Sequence, residues 1–279
     1  MSSQVTLLHR TCYRYDRPVA MGTQTIRLRP METCRTPIES YGLHIRPEGF
    51  NLKWERDSCG NDVACVGFLD RLTHFDIEVS LVADMTAYDP LLQTLAPDDH
   101  SDMPLEEHSA QPECGDEVRD FLSCYPVGTG GDMLGDMMAM NRGIARTVGY
   151  QRRLEPGVWS PEETLRRKVG SCRDSAWLFV NIARHLGYAA RFVSGYLIQS
   201  AGMADGAEVL TGELHAWAQI FIPQRGWLGF DTTSGLLAGQ GHIPLAVAAR
   251  PEDAAPVSGL LDRCEATFNV CMKVERLFT

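Results

Sequence analysis

Between Thr6 and about Val82, apolar and polar residues alternate in short runs, and turn residues break each run before helical spacing can build up. Thr25-Ile26-Arg27-Leu28-Arg29 and Phe75-Asp76-Ile77-Glu78-Val79-Ser80-Leu81 have the period of two that marks half-buried strands. Gly42-Leu43-His44-Ile45 and Ala64-Cys65-Val66-Gly67-Phe68 read as further strands. Pro47 with Gly49, and Gly60-Asn61-Asp62, supply the turns between them. A chain that begins this way buries its apolar faces by antiparallel pairing. The expectation for residues 1–94 is therefore a β domain resembling a sandwich of about seven short strands.

Residues 95–112 read as a linker. Leu95 to Glu113 holds three prolines, six carboxylates and two histidines without periodicity. His100 and His108 lack a partner cysteine or a helical register, so they are expected to be solvated loop residues and not metal ligands.

Helical spacing begins at Asp116, with Val118, Phe121 and Leu122 at i, i+3 and i+4. Met133 to Val148 then carries Leu134, Met137, Met138, Met140 and Ile144 as a core face. A strand region followed by helices and further strands gives an α+β chain, with residues 113–279 as its second domain.

Ser160-Pro161-Glu162-Glu163 is a capping serine, a proline at the first helical position and a glutamate three residues past the cap, so a helix starts there and ends by Gly170. A second helix opens almost at once. Ala176, Phe179, Val180 and Ala183 share a face, and Gly187 stops the helix just past His185. Ser171 is its cap, and Asp174 is spaced to return a bond to the cap amide. Cys172 thus falls in the first turn, where free N–H groups and the helix dipole favour a thiolate. The same amides suit the oxyanion formed when a thiolate attacks a carbonyl. Taken alone, a capped helix that merely contains a cysteine explains the segment as well.

Ala189 to Gln199 reads as a strand, followed by a Gly/Ala/Asp loop. Glu213 to Ile222, the turn Pro223-Gln224-Arg225-Gly226 and Trp227 to Asp231 then form a hairpin. A cysteine nucleophile needs a base, and the base needs a carboxylate to fix its tautomer. His215 and Asp231 lie far from the turn on opposite strands. An even loop pairing Ile222 with Trp227 would point them to opposite faces, so an odd loop or a bulge is expected. The other histidines show no such strand-and-carboxylate arrangement.

Gly170-Ser171-Cys172-Arg173-Asp174, Arg191 to Tyr196, Leu214-His215-Ala216-Trp217, Gly226-Trp227 and Asp231-Thr232-Thr233-Ser234-Gly235 resemble the bacterial transglutaminase-like family. The resemblance spans about residues 113 to 279 and, more weakly, the β-rich region before it. It implies a papain-like core, with a cysteine-bearing helix on an antiparallel sheet, and a triad of Cys172, His215 and Asp231. It further implies a cysteine peptidase or amidase that forms an acyl-enzyme, with acyl transfer to an amine as the alternative. Trp159, Arg173, Asp174 and Trp217 become candidate substrate contacts. The segment Gly235 to Pro244 resembles a subgroup that occurs with ATP-grasp-like partner proteins. The family often has Asp-Pro-Thr where this chain has Asp231-Thr232-Thr233, and another residue at Arg173; neither departure touches the triad.

Partners are bounded by charge. Thirty-six acidic against 26 basic side chains give a net charge of -10, opposite to what a phosphate backbone selects. Nine cysteines without any CxxC spacing fit neither a disulfide framework nor a zinc cluster. No metal or cofactor is expected, and eight of the nine cysteines are expected to be buried or half-buried. With no apolar run of membrane length and no secretory-type start, the expected setting is the cytoplasm and the expected substrate a peptide or protein. The rival reading is a non-catalytic peptide-binding module.

Overall fold

The computed structural model describes residues 3–92, 103–125, 132–204 and 207–277. Six strands come first: β1 (Gln4–Val19), β2 (Gln24–Ile26), β3 (Ile38–Arg46), β4 (Phe50–Arg56), β5 (Asp62–Phe68) and β6 (Leu72–Asp84). Alternation in β6 buries Phe75, Ile77, Val79 and Leu81 on one side, as its period of two requires. No helix interrupts this stretch.

The helical half contributes α1 (Asp116–Ser123), α2 (Met133–Thr147), the short β7 (Gly149–Tyr150), α3 (Pro161–Arg167), β8 (Val169–Gly170) and α4 (Cys172–His185). Ser160 Oγ accepts the Glu163 N–H at the start of α3, and Lys168 in a left-handed conformation ends it. Gly187, at φ 87°, stops α4. The chain then enters β9 (Ala190–Ala204), β10 (Ala207–Ile222), β11 (Gly226–Asp231), β12 (Leu236–Leu237) and β13 (His242–Ala248), followed by β14 (Val257–Ser258) and β15 (Ala266–Arg276).

These strands build three larger sheets, ordered β15-β1-β6-β3, β14-β2-β5-β4 and β12-β11-β10-β9-β13. The first two enclose Val5, Leu7, Ile26, Val66, Phe75 and Leu81, and this core continues onto Tyr196 and Ile243 of the third sheet. The opposite face of the third sheet presents Ala216, Ala218, Ile220, Leu228 and Phe230 to α4, whose Leu178, Phe179 and Ile182 are fully buried. At roughly 1.5–3 kcal/mol per buried large apolar side chain, that interface is what holds the start of α4 against the sheet. The third sheet is thus the middle layer, with helices on one face and β sheets on the other.

Two polar ties cross between the layers. Buried His9 meets Tyr196 Oη at Nδ1 and Thr11 Oγ1 at Nε2, both at 2.9 Å. Burial lowers its pKa to about 4, so it stays neutral. Asn61, expected only as a turn residue, spends its amide on both backbone groups of Val247, at 2.8 Å each. It completes the edge of β13 as a strand would.

Several expectations change. Strands β14 and β15, from the region assigned to the second domain, pair with β2 and β1 of the first. Most of the Gly/Ala/Asp loop after Gln199 is strand, because β9 and β10 extend as a long hairpin. His100 lies outside the described residues. His108 is not solvated: it is 1% exposed, on a 3-10 turn (Glu106–Ser109), with its ring edge-on to Trp227. Its Nδ1 accepts the Leu105 N–H. Of the eight cysteines expected to be covered, Cys124 and Cys271 are exposed and the other six half-buried. No described helix is long and apolar enough to cross a membrane.

Candidate active site

The first turn of α4 is fastened before it is functional. Asp174 Oδ2 accepts the Ser171 N–H at 2.8 Å and the Ser171 hydroxyl at 2.7 Å, the return bond its spacing predicts. The same carboxylate takes a two-pronged contact from Arg153, 3.0 Å on each side, and the Trp159 N–H at 2.8 Å. Burial opposes its charge, but these donors win and hold the Asp174 carboxyl below its ordinary value. Arg173 reaches the other way, donating to the carbonyls of Arg153 and Glu155 at 3.0 Å. Segment 153–159 is thereby strapped across the helix start, and Cys172 is left 9% exposed.

Three of the expected substrate contacts are part of this strap. Asp174 is completely buried and its oxygens are taken up by the strap. Arg173 is a clamp on main-chain carbonyls. The Trp159 ring lies under two guanidiniums, Arg153 at 4.2 Å and Arg167 at 4.5 Å.

The hairpin settles the register. Ile222 pairs with Gly226, leaving the three-residue loop Pro223-Gln224-Arg225, with Gln224 and Gly226 both at positive φ. This odd loop places His215 and Asp231 on the same face. His215 Nε2 meets Asp231 Oδ1 at 3.2 Å, with side-chain exposures of 2% and 3%. A carboxylate only accepts, so Nε2 carries a proton in either charge state, and in the neutral ring Nδ1 is the basic nitrogen. Buried Nδ1 has no hydrogen-bond partner among the described residues, and Cys172 contributes to the electrostatics of the ring. The end of β11 and α4 are also joined mechanically. Thr232 Oγ1 donates to Ser175 Oγ at 2.8 Å, one turn along α4 from Cys172.

Asp231 is held from several sides. Oδ1 also accepts the Thr233 N–H at 2.9 Å and the Thr233 hydroxyl at 2.7 Å, while Oδ2 meets His242 Nε2 at 3.3 Å. Burial alone would raise its pKa; hydrogen bonds from His215 and His242 carry it far below the ordinary carboxylate value. For His215, burial opposes protonation, but the hydrogen bond with Asp231 and the interaction with Cys172 lift its pKa to about 10. His242 and Thr233 escaped the sequence reading. The expectation that no other histidine meets a strand-borne carboxylate fails at His242, the first residue of β13.

A raised histidine stabilises the fold while it is protonated. The His215 contribution is therefore complete below its unfolded value near 6.5 and is lost as pH rises through about 10. The depressed Asp231 contributes above its ordinary 3.8, and that contribution is lost as pH falls through the carboxylate's lowered folded-state pKa. Thermal melts of the wild type and His215→Gln should converge in relative stability between pH 6.5 and 10, the wild type losing ground. A constant difference across that range would contradict the charged pair.

Trp217 is 1% exposed, so it is not an open groove wall. It stacks on His215 at 6.3 Å between centroids and 27° between planes. Gly195 pairs directly with His215 and makes room for the indole. A Cβ there would lie 2.4 Å from both the Ile243 carbonyl oxygen and the Trp217 ring. Gly195→Ala is expected to cost about 1–3 kcal/mol through overpacking and to slow reaction at Cys172 by tilting the indole. Melting temperature and thiol labelling together check it.

The bacterial transglutaminase-like N-terminal region matches residues 5–84, and the transglutaminase-like superfamily core matches residues 127–232. An uncharacterized protein of Mycobacterium leprae is 24% identical over 98% of this chain and 99% of its own length. One from Mycobacterium tuberculosis is 25% identical over 91% and 86%. Among solved structures, a candidate cysteine protease from Cytophaga hutchinsonii shares the fold, with a TM-score of 0.71 at 18% identity over 99% of this chain and 91% of that one. These matches make residues 5–84 similar to the bacterial transglutaminase-like N-terminal region and residues 127–232 similar to the transglutaminase-like superfamily core.

Proposed function

We propose that this protein is a cysteine amide hydrolase that cleaves a peptide or protein substrate through an acyl-enzyme. One observation carries the reading: a buried histidine gives Nε2 to a buried carboxylate, its remaining nitrogen has no hydrogen-bond partner among the described residues, and its charge is influenced by a cysteine in the first turn of a helix. In this reading the Cys172 proton already rests on His215 Nδ1, as a histidine raised to about 10 requires at neutral pH, and the ionised sulfur bonds to the amide carbon. The resulting oxyanion is met by amides of the first turn of α4, which have no partner within the helix. The C–N bond then breaks as His215 returns the proton to the departing amine. Water, deprotonated by the same nitrogen, releases the acid and restores the thiol. Asp231 keeps the ring in the required tautomer and stabilises the imidazolium.

A second reading, transfer of the acyl group to an amine, has one feature in its favour. Glu213, 46% exposed in its side chain, places Oε1 4.0 Å from His215 Nδ1. Tyr150, beside the same residues, is 54% exposed. An exposed carboxylate beside His215 suits an incoming ammonium. Nine unpaired cysteines and a thiol nucleophile are consistent with a reducing compartment, and we place the protein in the cytoplasm on that basis.

The test offers amide-bearing peptides in oxygen-18 water, with and without a primary amine, and follows products by mass. Labelled acid is the expected product. An amine adduct would instead establish transfer. If neither forms and iodoacetamide shows no preference for Cys172, the catalytic reading is wrong.

A further inference from the structure

We infer that His242 is a positioning residue for the candidate triad, acting on His215 through Asp231; the inference rests on the catalytic reading above. Its protonation pattern follows from its neighbours. The Gly239 N–H donates to His242 Nδ1 at 3.2 Å, so in the neutral ring Nδ1 is the acceptor and Nε2 carries the hydrogen. That hydrogen points to Asp231 Oδ2 at 3.3 Å. The two carboxylate oxygens therefore have separate duties. Oδ1 serves His215 and Thr233, and Oδ2 is held by His242.

Burial gives this second bond its weight. The Asp231 side chain is 3% exposed and that of His242 12%, so bulk water is poorly placed to replace a lost donor. A carboxylate held on one oxygen can turn about its Cα–Cβ and Cβ–Cγ bonds; held on both, it presents Oδ1 to His215 in one orientation. The same indole spaces the two rings: Trp217 lies nearly parallel to His215 and edge-on to His242 at 5.1 Å and 82°. His242 thus sets the far side of the carboxylate. Its anchor, the Gly239 amide, belongs to the turn leading into β13, which places the orienting group on a different sheet strand from either triad partner.

The experiment measures iodoacetamide labelling of Cys172 at neutral pH in the full chain, with exposed Cys124 and Cys271 changed to serine. His242→Asn keeps an acceptor near the Gly239 amide but falls short of Asp231, whereas His242→Gln extends a donor to where Nε2 stood. His242→Asn should label about tenfold more slowly, because a turned carboxylate no longer holds His215 in its productive orientation. His242→Gln should label at close to the parent rate. A residue that only fills space would show neither the loss nor the rescue at equal melting temperature. Parent-like labelling in His242→Asn, or equal slowing in both variants, overturns the inference. If His242→Asn does not fold, His242→Gln decides alone: folded and fast supports the role, folded and slow overturns it. A parent protein with no preference for Cys172 would instead sink the catalytic reading, so the two failures are distinguishable.

Discussion

Replacing Cys172 with serine is expected to reduce amide turnover by about 10⁴-fold or more and to remove the selective thiol adduct, with the fold unchanged. The side chain occupies a pocket already 9% exposed, and serine is smaller than cysteine, so packing has little to lose. The chemistry loses everything that depends on an ionised sulfur. His215→Ala should come close to the same deficit, because an imidazole fixed by Asp231 at one nitrogen is the base available to the thiol. The double variant should be little worse than either single one, since groups that act as one unit are not additive. Turnover against an amide substrate, with intact mass after alkylation, measures both effects. A Cys172→Ser variant retaining a tenth of the activity would remove the nucleophile from the proposal.

The second large effect falls on stability. Asp174→Ala leaves the Arg153 guanidinium, 9% exposed, without its carboxylate, and strands the N–H groups of Ser171 and Trp159. Removing one partner of a buried ion pair costs about 3–5 kcal/mol, which for a chain of this size is a fall of about 10 °C in melting temperature. Asp174→Asn should lie between, keeping one acceptor oxygen and losing the charge. The comparison also separates two roles. A substrate contact would raise KM and leave the melt alone; the strap geometry predicts that the melt moves first, and labelling of Cys172 then becomes less selective as segment 153–159 loosens.

Local signals carried most of what was readable in the chain. The caps at Ser160 and Ser171 and the stop at Gly187 involve partners within a turn or so, so their spacing states their geometry. The odd loop between Ile222 and Gly226 was readable because side-chain parity leaves few alternatives once His215 and Asp231 must share a face. Distance hid the rest. Asp174 sits three residues from its cap, but Arg153 and Trp159 lie 21 and 15 residues away on an irregular segment with no period to announce them. His242 was hidden for the same reason, since its bond to Asp231 depends on β13 joining the far edge of the sheet beside β9. His108 was read by its polar, proline-rich surroundings, yet Trp227 draws its ring inside.

The pairing of β15 with β1 has a consequence for biosynthesis. Val5 lies opposite Arg276 and Tyr15 opposite Ala266, so β1 waits for β15, which is translated after every other described strand. Throughout elongation β1 can pair with β6 but keeps its other flank open, an unprotected edge of up to 16 residues. The layer carrying Cys172, His215 and Asp231 leaves the ribosome before that edge is closed. Nascent chains stalled before residue 266 should therefore bind holdase chaperones and aggregate, and synthesis through β15 should end both.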